Sequence, residues 1–169
     1  MLKKQSANVF RKTKLKNKLK ALRCAKNQSE AIRFIYNLSG VKIKPNEFVD
    51  FEFSNTIFEN VKKNEKLYGK KSPIKMNKKY FIKSLMKSKN NLVDDNYYFK
   101  IHDVEVCYVM LPRKKIIEIM SGIIEKQNTF NYSLEIVSFN YTYYLYIDYY
   151  YDPTIDCDME FEFVERKFS

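Results

Sequence analysis

The sequence contains little glycine, no tryptophan and only one histidine, and it has no long apolar run. Three Gly, four Pro and three Cys occur among its 169 residues. No uninterrupted apolar stretch approaches the roughly 20 residues that span a bilayer. The N-terminal segment also lacks the apolar centre of a secretory signal. We therefore expect no membrane span.

The scarcity of histidine and cysteine argues against a metal site or a nucleophile. His102 has no second histidine to pair with, so a histidine-based site is not expected. Cys24, Cys107 and Cys157 are odd in number and far apart, and no pair has metal-binding spacing. We expect three reduced thiols, no metal, no cofactor and no catalytic residue.

The residue bias indicates an AT-rich genome. Lys, Asn, Ile, Phe and Tyr, which have AT-rich codons, make up 83 residues, whereas Gly, Ala, Arg and Pro make up only 16. Such a genome could belong to an organelle, a reduced bacterium or a phage. The bias indicates the base composition of the genome that encodes the protein, and it gives no information on function.

Charge is distributed in blocks along a chain whose net charge is +11. Residues 1–29 hold ten Lys or Arg and no acid, and residues 61–90 hold eleven Lys and one acid. Residues 131–169 hold two basic and eight acidic residues. This asymmetry predicts a polyanionic partner on one side of the protein, although a solvated lysine-rich surface is the alternative reading.

The N-terminal part predicts a basic helical arm over residues 1–28, followed by a single α+β domain over residues 29–169. Leu15, Leu19 and Leu22 share one helical stripe among lysines. Such an arm, disordered alone, could order on RNA, lie on a membrane surface or act as a transit peptide. Its candidate RNA-binding residues are Lys12, Lys14, Lys16, Lys18 and Lys20.

Capping residues and apolar spacing predict further helices. Asn27 and Glu30 have the spacing of a capping box, and Gly40 is a stop signal for that helix. Pro112 is suited to the start of a later helix. Helices are also predicted near 57–69, over 78–87 and over 113–125, the last with Ile116, Ile119, Met120 and Ile123 facing inward.

Alternation of apolar and polar residues predicts the strands of one antiparallel sheet. The stretch 97–111 is typical of a hairpin, and 158–165 is typical of a strand with one buried and one wet face. The predicted fold class is α+β, an antiparallel sheet with helices packed on one face. The predicted strands lie near 47–53, 97–101, 104–111, 132–149 and 158–165.

One strand-then-helix stretch resembles a known family. Residues 107–124 read C-Y-V-M-L-P-R-K-K-I-I-E-I-M-S-G-I-I. They are similar, without a gap, to C-K-V-T-L-R-G-E-R-M-W-E-F-F-E-R-L-I of the universal large-subunit ribosomal protein family L-five. Shorter matches follow the same order over about residues 69–165: G-K-K-S-P-I-K-M-N-K-K from Gly69, F-K-I from Phe99, N-Y-S-L from Asn131 and I-D-Y from Ile147.

The chain also departs from the family pattern. The segment between Lys79 and Phe99 is longer than the family's link, and the family's glycine-rich segment after the first strand is absent. The basic loop before Asn131 is shortened, and the arm over residues 1–28 is an addition. Part of the family's usual contact set therefore has no counterpart here.

The resemblance implies a non-catalytic component of the central protuberance of the large ribosomal subunit. It implies contacts with large-subunit rRNA, with 5S rRNA where present, with the elbow of P-site tRNA through a lysine-rich loop, and with a protein of the small-subunit head. The expected location is the ribosome, in a mitochondrial matrix as an organelle-encoded protein rather than in a bacterial cytoplasm. Besides the arm, the candidate RNA-binding residues are Lys62, Lys63, Lys70, Lys71, Lys75, Lys78, Lys79, Lys83, Lys87 and Lys89. The candidates for the protein bridge are Asp156, Asp158, Glu160 and Glu162.

Two other function classes stay open at this point. A phage- or plasmid-encoded inhibitor that binds a nuclease or its RNA would share the size and the codon bias. A nuclease could use Asp94, Asp95 and Asp103 on a metal, although adjacent acids before a strand are usually a solvated loop.

Overall fold

The computed structural model describes residues 2–69, 72–102, 106–126, 132–150 and 160–168. Over these residues the chain is an α+β protein with a six-stranded antiparallel sheet, as predicted. The helices are α1 (Leu2–Ser39), α2 (Phe51–Tyr68), α3 (Lys78–Asn91) and α4 (Arg113–Glu125), with a 3₁₀ turn at Pro45–Glu47. The strands are β1 (Ile74–Asn77), β2 (Asn96–Ile101), β3 (Val109–Pro112), β4 (Leu134–Ser138), β5 (Tyr143–Tyr150) and β6 (Glu160–Lys167).

The sheet has the order β1-β6-β5-β4-β2-β3, and every neighbouring pair is antiparallel. The predicted hairpin pairing is confirmed, because β2 pairs with β3 and Phe99 lies opposite Val109. The second strand is shorter than the predicted 104–111, since β3 begins only at Val109. The predicted strand region 132–149 is two strands, β4 and β5, joined by a tight turn. Tyr141 takes a φ of 60° in that turn, and the Asn140 side chain accepts hydrogen bonds from Thr142.

One face of the sheet packs against α1, α3 and α4 around the larger apolar core. The inward residues predicted for α4 (Ile116, Ile119, Met120 and Ile123) are all fully buried. Phe81 of α3 stacks on Phe161 of β6, with ring centroids 4.0 Å apart. Each such buried side chain stabilises the fold by about 1.5–3 kcal/mol relative to exposure.

The opposite face of the sheet is not left open, so the prediction of helices on one face only is wrong. Ile57 and Val61 of α2 pack there on a second apolar cluster that includes Tyr98, Tyr144 and Val164. The expected wet face of β6 is covered for the same reason. Val164 and Arg166 are 5% and 7% exposed under α2, whereas Glu165 turns to the first face and bonds Asn91 of α3.

The strand predicted over 47–53 is also wrong. Phe48 makes one isolated bridge with Val109, and α2 begins three residues later. The carboxylate of Asp50 accepts a hydrogen bond from the Phe53 N–H at 2.7 Å and caps the helix. This N-cap satisfies the Phe53 N–H, which in a strand would have to pair with a neighbouring strand. Capping of the helix thus outweighs the alternating pattern that predicted a strand.

Helix α1 is continuous from Leu2 to Ser39, so the predicted helix start at Asn27 is wrong. No Gly or Pro occurs before Gly40, and the Lys, Leu and Ala residues of this stretch favour helix. The predicted stop is confirmed, since Gly40 takes a φ of 73° and donates its N–H to the Tyr36 carbonyl. The arm and the first helix of the domain are one element in the structure.

Candidate nucleic-acid interface

The resemblance implies a lysine-rich loop after Gly69, but Lys75 lies on β1. Lys78 and Lys79 begin α3, in agreement with the helix predicted over 78–87. Strand β1 pairs with β6 at one edge of the sheet. Asn77 then caps α3, because its side chain accepts a hydrogen bond from the Tyr80 N–H at 3.2 Å. Burial of Phe81 and Leu85, four residues apart, anchors that helix to the core. The lysines are thus held on a rigid support.

We call the exposed side of these two elements the β1–α3 surface, defined by Lys75, Lys78, Lys79, Lys83 and Lys87. Lys79, Lys83 and Lys87 are spaced by four residues and form one exposed stripe on α3. Lys75 is exposed on β1, and Lys78 is half-buried. No acid occurs from Ile74 to Asn91. Glu162 of β6 lies opposite Lys75 in the strand register, so the stripe of Lys79, Lys83 and Lys87 is the part best suited to neutralise phosphates in a row.

Other predicted lysines of this group do not belong to the β1–α3 surface. Lys89 donates a hydrogen bond to the Ser121 hydroxyl of α4 at 3.1 Å, so it joins two helices. Lys62 lies over the Phe58 ring at 4.1 Å, and Lys63 is exposed beside it. Both are on α2, which covers the opposite face of the sheet. Lys70 and Lys71 lie outside the described residues.

The lysines of α1 form a separate basic surface. Lys14, Lys16, Lys18 and Lys20 are all exposed, and the side chain of Lys12 lies outside the described part. Helix α1 packs against α4 and α2, whereas α3 packs against α4, β1 and β6. The second basic block is itself divided between α2 and α3, which cover opposite faces of the sheet, so the basic residues do not share one side of the molecule.

Three acids of the C-terminal region, Glu135, Asp148 and Glu165, have partners within the protein. Glu135 lies 2.6 Å from His102, Glu165 accepts from Asn91 and Tyr143, and Asp148 accepts from Ser133 and Tyr146. Of the four bridge candidates, only Glu162 can be placed, half-buried on β6. Asp156, Asp158 and the side chain of Glu160 lie outside the described part.

Three tyrosines of β5, Tyr143, Tyr144 and Tyr146, pack within the protein. Tyr143 belongs to the larger core and Tyr144 to the second cluster. Burial raises the pKa of both hydroxyls. Tyr146 is half-buried and its hydroxyl donates to Asp148. Tyr151 lies outside the described residues.

An ion pair fixes the 3₁₀ turn to α4. The Lys115 ammonium lies 2.6 Å from the Glu47 carboxylate. Burial acts to raise the pKa of Glu47, but the hydrogen bonds from Lys115 and from the Lys44 N–H outweigh it, so the pKa is lowered.

Sequence reasoning missed a polar cluster at the end of the second face. Lys100 on β2, His102 just after β2 and Glu135 on β4 meet beside the N-terminal half of α2. Cys24 and Cys107 are free, buried thiols nearby, and burial raises the pKa of Cys107 to about 12. The sequence did contain a signal for this cluster, because Lys100 and His102 occupy alternate positions at the end of the apolar stretch that forms β2.

Comparisons with known proteins return no match, whether with family models, with curated proteins or with solved structures. In the part of the chain that the structure describes, no helix is both long and apolar enough to cross a bilayer. Within the same ranges, no three His, Cys, Asp or Glu side chains converge as metal ligands. Of the acids considered for a nuclease, Asp94 accepts a hydrogen bond from Asn140, Asp95 is exposed in the same bend, and Asp103 lies outside the described residues.

Proposed function

We propose that the protein is a non-catalytic constituent of the large ribosomal subunit and that it binds rRNA through the β1–α3 surface. The observation that carries the proposal is six lysines without an acid from Ile74 to Asn91, with Lys79, Lys83 and Lys87 exposed along one stripe. The ordered resemblance to the ribosomal L-five family supplies the context. The partners under this proposal are large-subunit rRNA, 5S rRNA where present, P-site tRNA and neighbouring ribosomal proteins.

The physical argument concerns phosphate rather than base recognition. A lysine ammonium is a compact charge that contacts phosphate without reading sequence. Double-stranded RNA is recognised mainly by shape and backbone, which suits a stripe of charges held by a helix. Like charges this close repel one another in the free protein, and phosphates relieve that repulsion while releasing counterions.

The first prediction tests this surface directly. Replacing Lys79, Lys83 and Lys87 together by Gln should weaken binding to large-subunit rRNA and reduce its salt dependence. The slope of log K against log salt should fall by about 0.7–0.9 for each lysine that contacts a phosphate. Filter binding or fluorescence anisotropy over a salt series measures both quantities.

The matched control is replacement of Lys42, Lys66 and Lys114 by Gln, which removes the same charge at three exposed positions elsewhere. Both triple variants should retain the wild-type unfolding free energy within about 0.5 kcal/mol per site, since the side chains are exposed. Equal loss of affinity in the two variants would mean that net charge, and not this surface, drives binding.

Co-sedimentation separates the ribosomal proposal from an inhibitor. A ribosomal constituent should remain with large subunits after a high-salt wash, because many contacts must break at once. Stoichiometric binding to a soluble nuclease, with loss from ribosomes at the same salt, would favour the inhibitor class and reject the proposal.

A further inference from the structure

A cleft of ≈ 280 Å³ lies between α1, α2 and the end of β2, away from the β1–α3 surface. Three basic side chains reach it from different parts of the chain: Lys20 of α1, Lys100 of β2 and His102 just after β2. No carboxylate is among the described residues that line it. Its volume is near the lower end for small-molecule sites, which suits one nucleotide rather than a duplex.

The wall formed by α2 is aromatic. Phe51 and Phe58 line the cleft, and their spacing of seven residues puts them on one face of the helix. Phe58 is 38% exposed, with the Lys62 ammonium over its ring, and Asn55 also lines the cleft. A flat apolar wall with an amide beside it is suited to a stacked base.

The cations of the cleft are held by the sheet beneath them. Glu135 is 3% exposed, and one of its carboxylate oxygens lies 2.6 Å from His102 Nε2. The other oxygen is buried and has no hydrogen-bond partner in the described part. Lys100 lies opposite Glu135 in the strand register, and its ammonium is 5.1 Å from the centre of the Tyr108 ring. Glu135 contacts His102, and the ammonium groups of Lys20 and Lys100 remain to attract an anion.

We propose that this cleft binds one unpaired nucleotide of RNA. Lys20, Lys100 and His102 hold the phosphate, and the base lies against Phe51 and Phe58. Single-stranded sites generally combine a cationic track with aromatic platforms, and RNA-binding proteins read unpaired bases in this way.

The site is confined to the inner end of the groove between α1 and α2. The outer part is lined by Lys14 and Lys18, but also by Asp50 and Glu52, whose carboxylates repel phosphate. The inference relies on the proposed ribosomal function only for RNA as the source of the nucleotide, and it concerns a different part of the surface.

The unique histidine makes the cleft directly observable. His102 is the only His of the chain, so its imidazole NMR signals need no assignment. Uridine 5′-monophosphate should shift these signals in a saturable manner, and uridine or inorganic phosphate alone should bind more weakly. Equal affinity for inorganic phosphate and the nucleotide would overturn the base contact and leave an anion site only.

Variants separate the phosphate and base contacts. Lys20→Gln and Lys100→Gln should each weaken nucleotide binding by about three- to tenfold, as expected for a lost charged contact. Phe58→Ala should weaken it by about fivefold or more, as for a lost stacking partner, and Phe58→Leu keeps the apolar volume as a folding control. Lys114→Gln, on α4, should change nothing.

Failure of this inference differs from failure of the proposed function. No saturable shift up to about 10 mM nucleotide, a concentration that fills even weak sites, would reject the cleft while rRNA binding by the β1–α3 surface could still hold. A phosphoserine peptide that binds more tightly than the nucleotide would also overturn it. If the protein binds the nucleotide in the cleft but does not bind rRNA, the nucleotide site is supported and the ribosomal role is rejected.

Discussion

The two faces of the sheet differ in how completely they are covered. The first face carries a continuous apolar core under three helices. The second face is apolar only under α2, and it ends in the polar cluster of Lys100, His102 and Glu135. A face covered along its whole length contributes stability, whereas a half-covered face can also offer a binding site. Under the proposed function, the first face would contribute through the exposed lysines on the outer side of α3.

The largest expected effect is loss of the ring stack in the first face. Phe81→Ala removes a fully buried ring that stacks on Phe161, and such deletions cost about 3–5 kcal/mol. Chemical denaturation measures the free energy of unfolding. The control is Tyr80→Ala on the same helix, where the side chain is 61% exposed. Similar losses in both variants would mean that α3 does not anchor the core.

A smaller loss is expected where α1 crosses α4. A Cβ at Gly122 would lie 2.4 Å from the Leu38 carbonyl oxygen and 2.8 Å from the Ser39 Cα, so Gly122→Ala should destabilise by about 1–3 kcal/mol through overpacking. Helix propensity alone would act in the opposite direction, by about 1 kcal/mol. Thermal unfolding compared with Lys114→Ala, at an exposed site of α4, tests this. A stabilised Gly122→Ala variant would exclude the close crossing.

The second face should respond locally rather than globally. Arg166 donates to the Gly69 carbonyl at 2.9 Å and lies 3.8 Å from Glu65, so it holds the C-terminal end of α2. Arg166→Met should cost about 1–2 kcal/mol and should speed hydrogen exchange mainly in α2. Uniform acceleration over all helices would show that the two faces unfold as one unit.

The smallest effect concerns the ion pair at the 3₁₀ turn. Because the folded-state pKa of Glu47 is below its ordinary value of 4.5, its stabilisation is complete above that pH and is lost as the pH falls through the folded-state pKa. Glu47→Gln should therefore cost about 0.5–1 kcal/mol near neutral pH, and the difference from wild type should shrink below about pH 4.5. Unfolding curves from pH 3 to 7 measure it. A pH-independent difference would point to packing instead.

Local patterns in the sequence were sufficient for much of the first face. The apolar spacing of Ile116, Ile119, Met120 and Ile123 predicts α4 and its buried side, and Gly40 predicts the end of α1. The β2–β3 hairpin also follows from the sequence, because its strands are close along the chain and alternate regularly. In these cases the deciding interactions are within a few residues of one another.

Other elements could not be read from local pattern. The stretch 47–53 alternates like a strand, but Asp50 caps a helix there, and the choice depends on where that helix packs. Strand β1 was not among the predicted strands, because its pairing with β6 joins residues far apart along the chain. The continuous helix through Asn27 likewise overrides a capping signal that the sequence does contain.

By itself, the sequence determined the α+β class, the basic blocks and the apolar sides of the helices, because composition and periodicity act over a few turns of chain. Only the tertiary structure decided that α2 covers the second face, that the second basic block is divided between α2 and α3 and that Lys20, Lys100 and His102 line one cleft. These outcomes depend on pairing between β2 and β4 and on the packing of α1 beside α2. Such contacts join residues far apart in sequence, and their free energy depends on the whole fold rather than on any local pattern.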